Sequence, residues 1–143
     1  MPQVNPYITF SGTCEEAFNF YKSVFGGEFQ YIGRFGEMPD GDKIPEAEKN
    51  HIMHVSLPIS KETILMGSDA LDSFGHVMTT GNNISISINA ESEEEATRLF
   101  NGLSEGGKVT MPLEKTFWGA FFGMFIDKFG INWMVNHDTD PKA

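Results

Sequence analysis

The sequence predicts an α+β protein built from two βαβββ modules, each a sheet with one helix on its back. Two observations carry that reading. The order of strand, helix and glycine patterns repeats after about 79 residues. Three strand patterns follow each helix pattern at short spacing, so they read as hairpins or meanders.

The first module opens with "ITFSGTCEEAFNFYKSVFGGEF" and the second with "ISINAESEEEATRLFNGLSEGGKV". Both run from an apolar strand through a cap and an acidic first turn into an amphipathic helix, then Gly-Gly and a strand. Thr13-x-x-Glu16 and Ser92-x-x-Glu95 have the pattern of a capping box, in which a hydroxyl caps the helix start and the glutamate reaches back. Acidic side chains there also suit the positive end of the helix dipole. Ala96, Leu99, Phe100 and Leu103 recur at i, i+3, i+4 and i+7 and make one apolar face. Ala17, Tyr21 and Val24 do the same in the first helix, flanked by Phe18 and Phe25. Gly26-Gly27 and Gly106-Gly107 end the two helices.

The strands expected next are Glu28–Phe35, His51–Ile59 and Thr63–Ser68, then Lys108–Leu113, Ala120–Asp127 and Ile131–Asn136. The second module's opening strand is expected over Asn82–Ala90. Its modules, 1–70 and 82–137, are expected to form a single domain over 1–143. A sheet covered on one side leaves its other face to be filled. Two such modules can set their open faces together, giving a curved mixed sheet around a ligand cavity.

Alternation sorts the faces. In Asn82–Ala90, Ile84, Ile86 and Ile88 are expected on the helix side, with Asn83, Ser85, Ser87 and Asn89 on the other. In the last strand Ile131, Trp133 and Val135 form a core face, and Asn132, Met134 and Asn136 a polar, soft one. Matching polar second faces on two helix-packed strands predict a pocket lining.

A formal charge of −10, from 20 acidic against 10 basic residues, argues against nucleic acid and against anionic membranes as partners. Much of the acid lies in Glu37 to Glu48 and Glu91 to Glu95. No apolar run approaches the ~20 residues of a membrane span, and MPQVNPY has no leader character, so a cytoplasmic location is expected. The single cysteine, Cys14, fits a reducing compartment.

"PYITFSGTCEEAFNFYKSVFGGEF", "HVSLPISKETILMGSD" and "MPLEKTFWGAFFGMFIDKFGINWM" together resemble the PhnB-like branch of the vicinal oxygen chelate superfamily. That superfamily includes glyoxalase I, the bleomycin resistance proteins and the extradiol dioxygenases. The resemblance covers nearly the whole chain. It implies paired βαβββ modules, a U-shaped ligand cavity and a homodimer, sometimes with modules exchanged between chains. Relatives often carry a 3-demethylubiquinone methyltransferase label. The residues do not support methyl transfer, because Phe10-Ser11-Gly12-Thr13 has one glycine and no repeated parallel βα pattern follows.

The resemblance also implies a divalent metal, Ni, Zn, Mn or Fe, held by about four His, Glu or Gln ligands from equivalent strands. Matched to that pattern, Asn83 stands for a histidine and Met134 for a glutamate. Pro6 falls at or next to the first-strand ligand, and Glu62 lies just ahead of the fourth. The strand positions of His51 and His54 project to opposite faces, His76 lies between the modules, and His137 ends the last strand. No metal site is expected.

Without metal, His54 shares parity with Ser56 and offers a general base or a hydrogen bond to a ligand, or else serves as a structural histidine. Trp118 and Phe122 share strand parity and either stack on a flat ligand or fill the core. Cys14 lies in a helix's first turn, where a thiolate is favoured, yet a packed, inert thiol is the better expectation. Asp69 is expected to cap or hold a turn. The segment 36–50, rich in charge and carrying Pro39-Asp40-Gly41-Asp42, is expected to be a mobile loop.

The resulting expectation is a dimeric protein binding a small organic molecule, with no tightly held cofactor. The alternative is a metal-dependent lyase or dioxygenase on the same fold.

Overall fold

The computed structural model describes residues 1–139; the rest of the expected domain, 140–143, lies outside the described residues. The chain divides into two compact units that meet at Thr79/Thr80. The first contains β1 (Tyr7–Phe10), α1 (Cys14–Phe25), β2 (Tyr31–Arg34), β3 (Ile52–Pro58) and β4 (Ile64–Asp69). The second contains β5 (Ile86–Asn89), α2 (Glu93–Ser104), β6 (Lys108–Lys115), β7 (Ala120–Ile126) and β8 (Asn132–Asp138). Each unit builds one four-stranded mixed sheet, in the orders β1-β4-β3-β2 and β5-β8-β7-β6. In both, the first strand runs parallel to the last and every other pairing is antiparallel. The repeat seen in sequence is therefore a repeat of topology.

Each helix packs on one face of its own sheet. Cys14, Ala17, Phe18 and Tyr21 of α1 are buried, as are Ile8, Val55, Leu57 and Leu65 of the sheet. Phe18 meets Phe10 and Tyr21 edge-on, with ring centroids 6.2 and 5.5 Å apart. In the second unit Phe100 meets Phe125 edge-on at 5.0 Å, and Trp133 and Val135 are fully buried. A glycine lies under the helix in each case. A Cβ at Gly67 would stand 2.6 Å from Phe18, and one at Gly123 would stand 2.6 Å from Phe100. Any larger residue there would force the helix off its sheet.

Two buried carboxylates tie the strands to the turns. Asp69, at the end of β4, accepts backbone N–H bonds from Gly12 and Cys14 on Oδ1 and from Ile52 on Oδ2, each 2.9 Å. It thereby joins the β1–α1 turn, the start of α1 and the start of β3. Asp127 follows β7 and accepts from Phe129 (2.8 Å) and Ile131 (3.0 Å) on Oδ1, and from the Trp133 indole (2.9 Å) on Oδ2. The Asp-x-Phe-Gly-x-x-Trp run is thus a turn pinned by one carboxylate.

Several expectations change. Thr13 makes no side-chain cap bond; Asp69, distant in sequence, takes that place on α1. Ser92 does cap α2 through the Glu95 N–H (3.0 Å), but Glu95 reaches back to the Glu91 N–H (3.0 Å). β2 is shorter than Glu28–Phe35 because an irregularity at Gly33/Arg34 breaks its register on β3. Arg34 there turns to Glu15 in a two-pronged ion pair, 3.0 and 2.7 Å, which holds the Glu15 carboxyl below the usual carboxylate range. β5 covers only Ile86–Asn89 of the expected Asn82–Ala90. Ile86 pairs with Trp133, so Ser85 is level with Asn132, the first residue of β8, and the residues before Ser85 run past the start of that strand.

The segment 36–50 is not structureless. It forms three short 3-10 turns at Phe35–Glu37, Gly41–Lys43 and Glu46–Glu48. Backbone bonds such as Gly36 N–H to the Lys49 carbonyl (2.9 Å) close it on itself. Phe35, Ile44 and Leu71 form a small buried cluster with Met38 and Met53 against it. Its charges are a solvated outer side over an apolar inner one.

Replacing either carboxylate strands three donors, at least two of them backbone N–H groups, in a buried or part-buried setting. We expect Asp69→Ala and Asp127→Ala each to lose at least about 3 kcal/mol in urea denaturation. A loss under about 1 kcal/mol would refute the pinning role.

Candidate functional site

Pairing across a sheet places directly opposed residues on one face. In the first unit the face away from α1 carries a row across all four strands: Tyr7, Met66, Ser56 and Tyr31. His54 shares that face by parity with Ser56, opposite the fully buried Val55 and Leu57. Its ring lies between two tyrosines, 5.7 Å from Tyr7 in a near-parallel stack and 5.9 Å from Tyr31. The Tyr7 hydroxyl is 3.3 Å from His54 Nδ1. Tyr31 folds back over Gly33, the residue paired with His54, where a Cβ would stand 2.9 Å from the phenol ring. Both tyrosines remain about half exposed, at 49% and 48%, while Ser56 is buried.

This arrangement can stack a flat ring and offer a polar group beside it. With Nδ1 turned to Tyr7, the remaining ring nitrogen of His54 is available for a ligand. The sequence pattern pointed to His54 and Ser56 but missed Tyr7 and Tyr31. Once β1 and β2 are placed in register with β4 and β3, parity identifies both.

In the second unit the face away from α2 holds Asn132, Met134 and Asn136 of β8, opposite buried Trp133 and Val135. Phe122, Met124 and Ile126 of β7 pair with Asn136, Met134 and Asn132 and so join that face. Ser87 and Asn89 of β5 pair with Met134 and Asn136. The Asn136 amide donates to Asn89 Oδ1 (3.3 Å) and to Asp138 Oδ1 (3.2 Å). Trp118 is not on a strand. It sits in the β6–β7 turn, 53% exposed, with its ring 6.1 Å from Phe122. The two rings meet as neighbours although the expected shared strand parity does not apply.

Asn83 and Ser85 also leave the strand. Both precede β5, and Asn83 is exposed there, so Ser87 is the β5 residue that directly opposes Met134. The irregular stretch also frees Ile84, expected on the helix side, which is 79% exposed.

The donors on these faces suit a divalent ion poorly. The open-face pairs of first and last strand are Tyr7 with Met66 and Thr9 with Ser68, then Ser87 with Met134 and Asn89 with Asn136, which supply hydroxyls, neutral amides and two thioethers. Pro6 precedes β1 and gives its carbonyl to the Met66 N–H (3.0 Å). Glu62 is exposed in the β3–β4 turn. His76 is exposed in the stretch after β4, and His137 bonds the Ala90 carbonyl through Nδ1 (2.9 Å). Among the described residues no three His, Cys, Asp or Glu side chains gather. Nor does any described helix have the length and apolarity to cross a membrane.

Residues 2–136 match the protein family described as 3-demethylubiquinone-9 3-methyltransferase. Protein PA1353 from Pseudomonas aeruginosa, a crystal structure, is 43% identical, with a TM-score of 0.85 over 98% of this chain and 100% of that one. A PhnB protein from Bacillus cereus, described as a putative 3-demethylubiquinone-9 3-methyltransferase, is 27% identical, with a TM-score of 0.76 over 95% and 99%. At the level of fold alone, a glyoxalase/bleomycin resistance protein/dioxygenase family enzyme from Burkholderia phytofirmans aligns with a TM-score of 0.59 at 13% identity, over 94% and 96%.

Cys14 is fully buried at the start of α1. Burial, with Asp69 and then Glu15 beside it, pushes the thiol well above its usual pKa, outweighing the helix end that would favour a thiolate. Maleimide should therefore leave Cys14 unmodified in the folded protein at pH 8 and label it fully in urea. Labelling of the native chain within minutes would overturn that assignment.

Proposed function

The chain belongs to the 3-demethylubiquinone-9 3-methyltransferase family, and from that premise we propose that it binds a small organic molecule on helix-free sheet surface, without a tightly held divalent metal. The observation that carries this reading is His54 set between Tyr7 and Tyr31 on the open face of the first sheet. Apolar and aromatic walls with a few placed polar groups are what a small-molecule site needs. The ligand class that fits is a flat ring with a hydroxyl or carboxylate at its edge, the ring on the tyrosines and the polar group at His54.

Methyl transfer, which the family description names, finds less support in the local chemistry. A nucleoside cofactor's polar groups would be met by free N–H groups at the first helix start, and here Asp69 already takes those of Gly12 and Cys14. The strands after each helix are antiparallel, not a series of parallel crossovers. We also infer a homodimer in the cytoplasm. Each sheet ends in two edge strands, β1 and β2 or β5 and β6, whose outer backbone groups offer pairing to another chain.

Metal analysis of protein purified without chelator should find well under one Ni, Zn, Mn or Fe per chain; a stoichiometric ion would favour the metal-dependent lyase or dioxygenase. Calorimetry with 4-hydroxybenzoate and catechol should detect binding that His54→Ala and Tyr31→Ala each weaken about tenfold, the worth of one hydrogen bond or ring contact. Wild-type affinity in both variants would sink the reading. Light scattering should give twice the 15.9 kDa chain mass at micromolar concentration, and a monomer there would remove the dimer.

A further inference from the structure

We propose that the open face of the second unit holds a thioether site for a soft monovalent cation, Cu(I) or its redox-silent counterpart Ag(I), formed by Met111, Met124 and Met134. The three stand side by side on β6, β7 and β8. Met111 pairs with Met124, and Met124 pairs with Met134. Residues opposed in this way share a face with Cβ atoms ~4.5–5.5 Å apart. A methionine side chain is unbranched and adaptable, so three sulfurs set at that pitch can turn onto one ion.

The placement is selective for face. The helix side of the same strands is filled by Phe125, Trp133, Val135 and Gly123, with no methionine among them. A methionine used as core filler belongs on that side. Instead Met111 is 43% exposed and the other two are half-buried. β6 breaks register on both sides of Met111, yet keeps that residue opposite Met124. Irregularities of this kind re-aim single side chains. Ser87 extends the row beyond Met134 and adds a hydroxyl oxygen at its end.

Chemistry selects the ion. Three neutral, polarisable thioethers compete poorly for zinc or nickel, which favour imidazole, carboxylate or thiolate; softness suits Cu(I) and Ag(I). The chain's one thiol, Cys14, is fully buried within the first unit. A thioether carries no proton to lose, so binding should not weaken in mild acid, unlike binding to histidine or cysteine. The inference needs only this face and is independent of the small-molecule reading.

The test is titration of silver nitrate, in chloride-free buffer, into the full chain labelled with methyl-13C methionine. Of the 8 methionine methyl signals, those of Met111, Met124 and Met134 should move together and saturate at one ion per chain. The affinity should be micromolar and the same at pH 7 and pH 5.5. Leucine conserves volume, so Met111→Leu, Met124→Leu and Met134→Leu should keep the fold and each weaken binding about tenfold or more. The triple variant should lose the site. If that variant does not fold, Met111→Leu, at the exposed edge, decides alone. The proposal is overturned if these three signals stay still up to about 100 μM silver, if the variants bind as the wild type does, or if binding fades with histidine protonation.

Discussion

Each unit depends on a carboxylate buried at the end of a strand and spent on the backbone. A β-strand that must hand over to a turn, a helix or another strand leaves N–H groups with no ladder partner, and water cannot reach them in the core. Asp69 takes three such groups from three segments of the first unit. Asp127 takes two from its own turn and the indole of Trp133. A charged acceptor makes stronger bonds than a neutral one, and both oxygens are used in each case. The two carboxylates therefore hold the connections, while the aromatic contacts of Phe18 and Phe100 hold the helices.

That division explains where functional surface remains. The helix and the glycine beneath it consume one face of each sheet, with Gly67 and Gly123 permitting close approach. Everything polar or soft that has no place in those cores appears on the opposite faces. Asp69 also settles two questions of chemistry at once. It takes the first N–H of α1, and its charge adds to burial, the larger effect, in raising the pKa of the Cys14 thiol. A cysteine at a helix start is not reactive when the helix end is already neutralised.

Topology was legible in the sequence because it rests on local periodicity and repetition, which survive in a single chain read alone. Faces were legible as well: Trp133 and Val135 inward, Met134 and Asn136 outward, and His54 with Ser56 away from the helix. Extents and partners were not. Asn83 had strand-like alternation, but a strand lasts only as long as its neighbour, and β8 begins too late to pair with it; Ser85, level with the first residue of β8, makes no ladder pair. Thr13 had a local capping pattern, and a carboxylate 56 positions along the chain displaced it. The segment 36–50 looked unable to bury anything because its apolar inner residues, Phe35 and Ile44, are widely spaced and are completed by Leu71. Tyr7 and Tyr31 belong to His54 only through register, which no pattern within one strand contains.

Register also fixes which residues stand where the first strand meets the last. The first strand pairs with the last in both units, so a ligand pair there is a fixed consequence of the topology, whatever residues fill it. Tyr7 with Met66 and Ser87 with Met134 point away from the helices and bring no carboxylate or imidazole to those positions. The hydroxyls and thioethers there carry no formal charge in a chain of net charge −10, and they present contact area and polarisability instead. The proposed recognition on the first sheet's open face rests on shape, on stacking and on hydrogen bonding at His54.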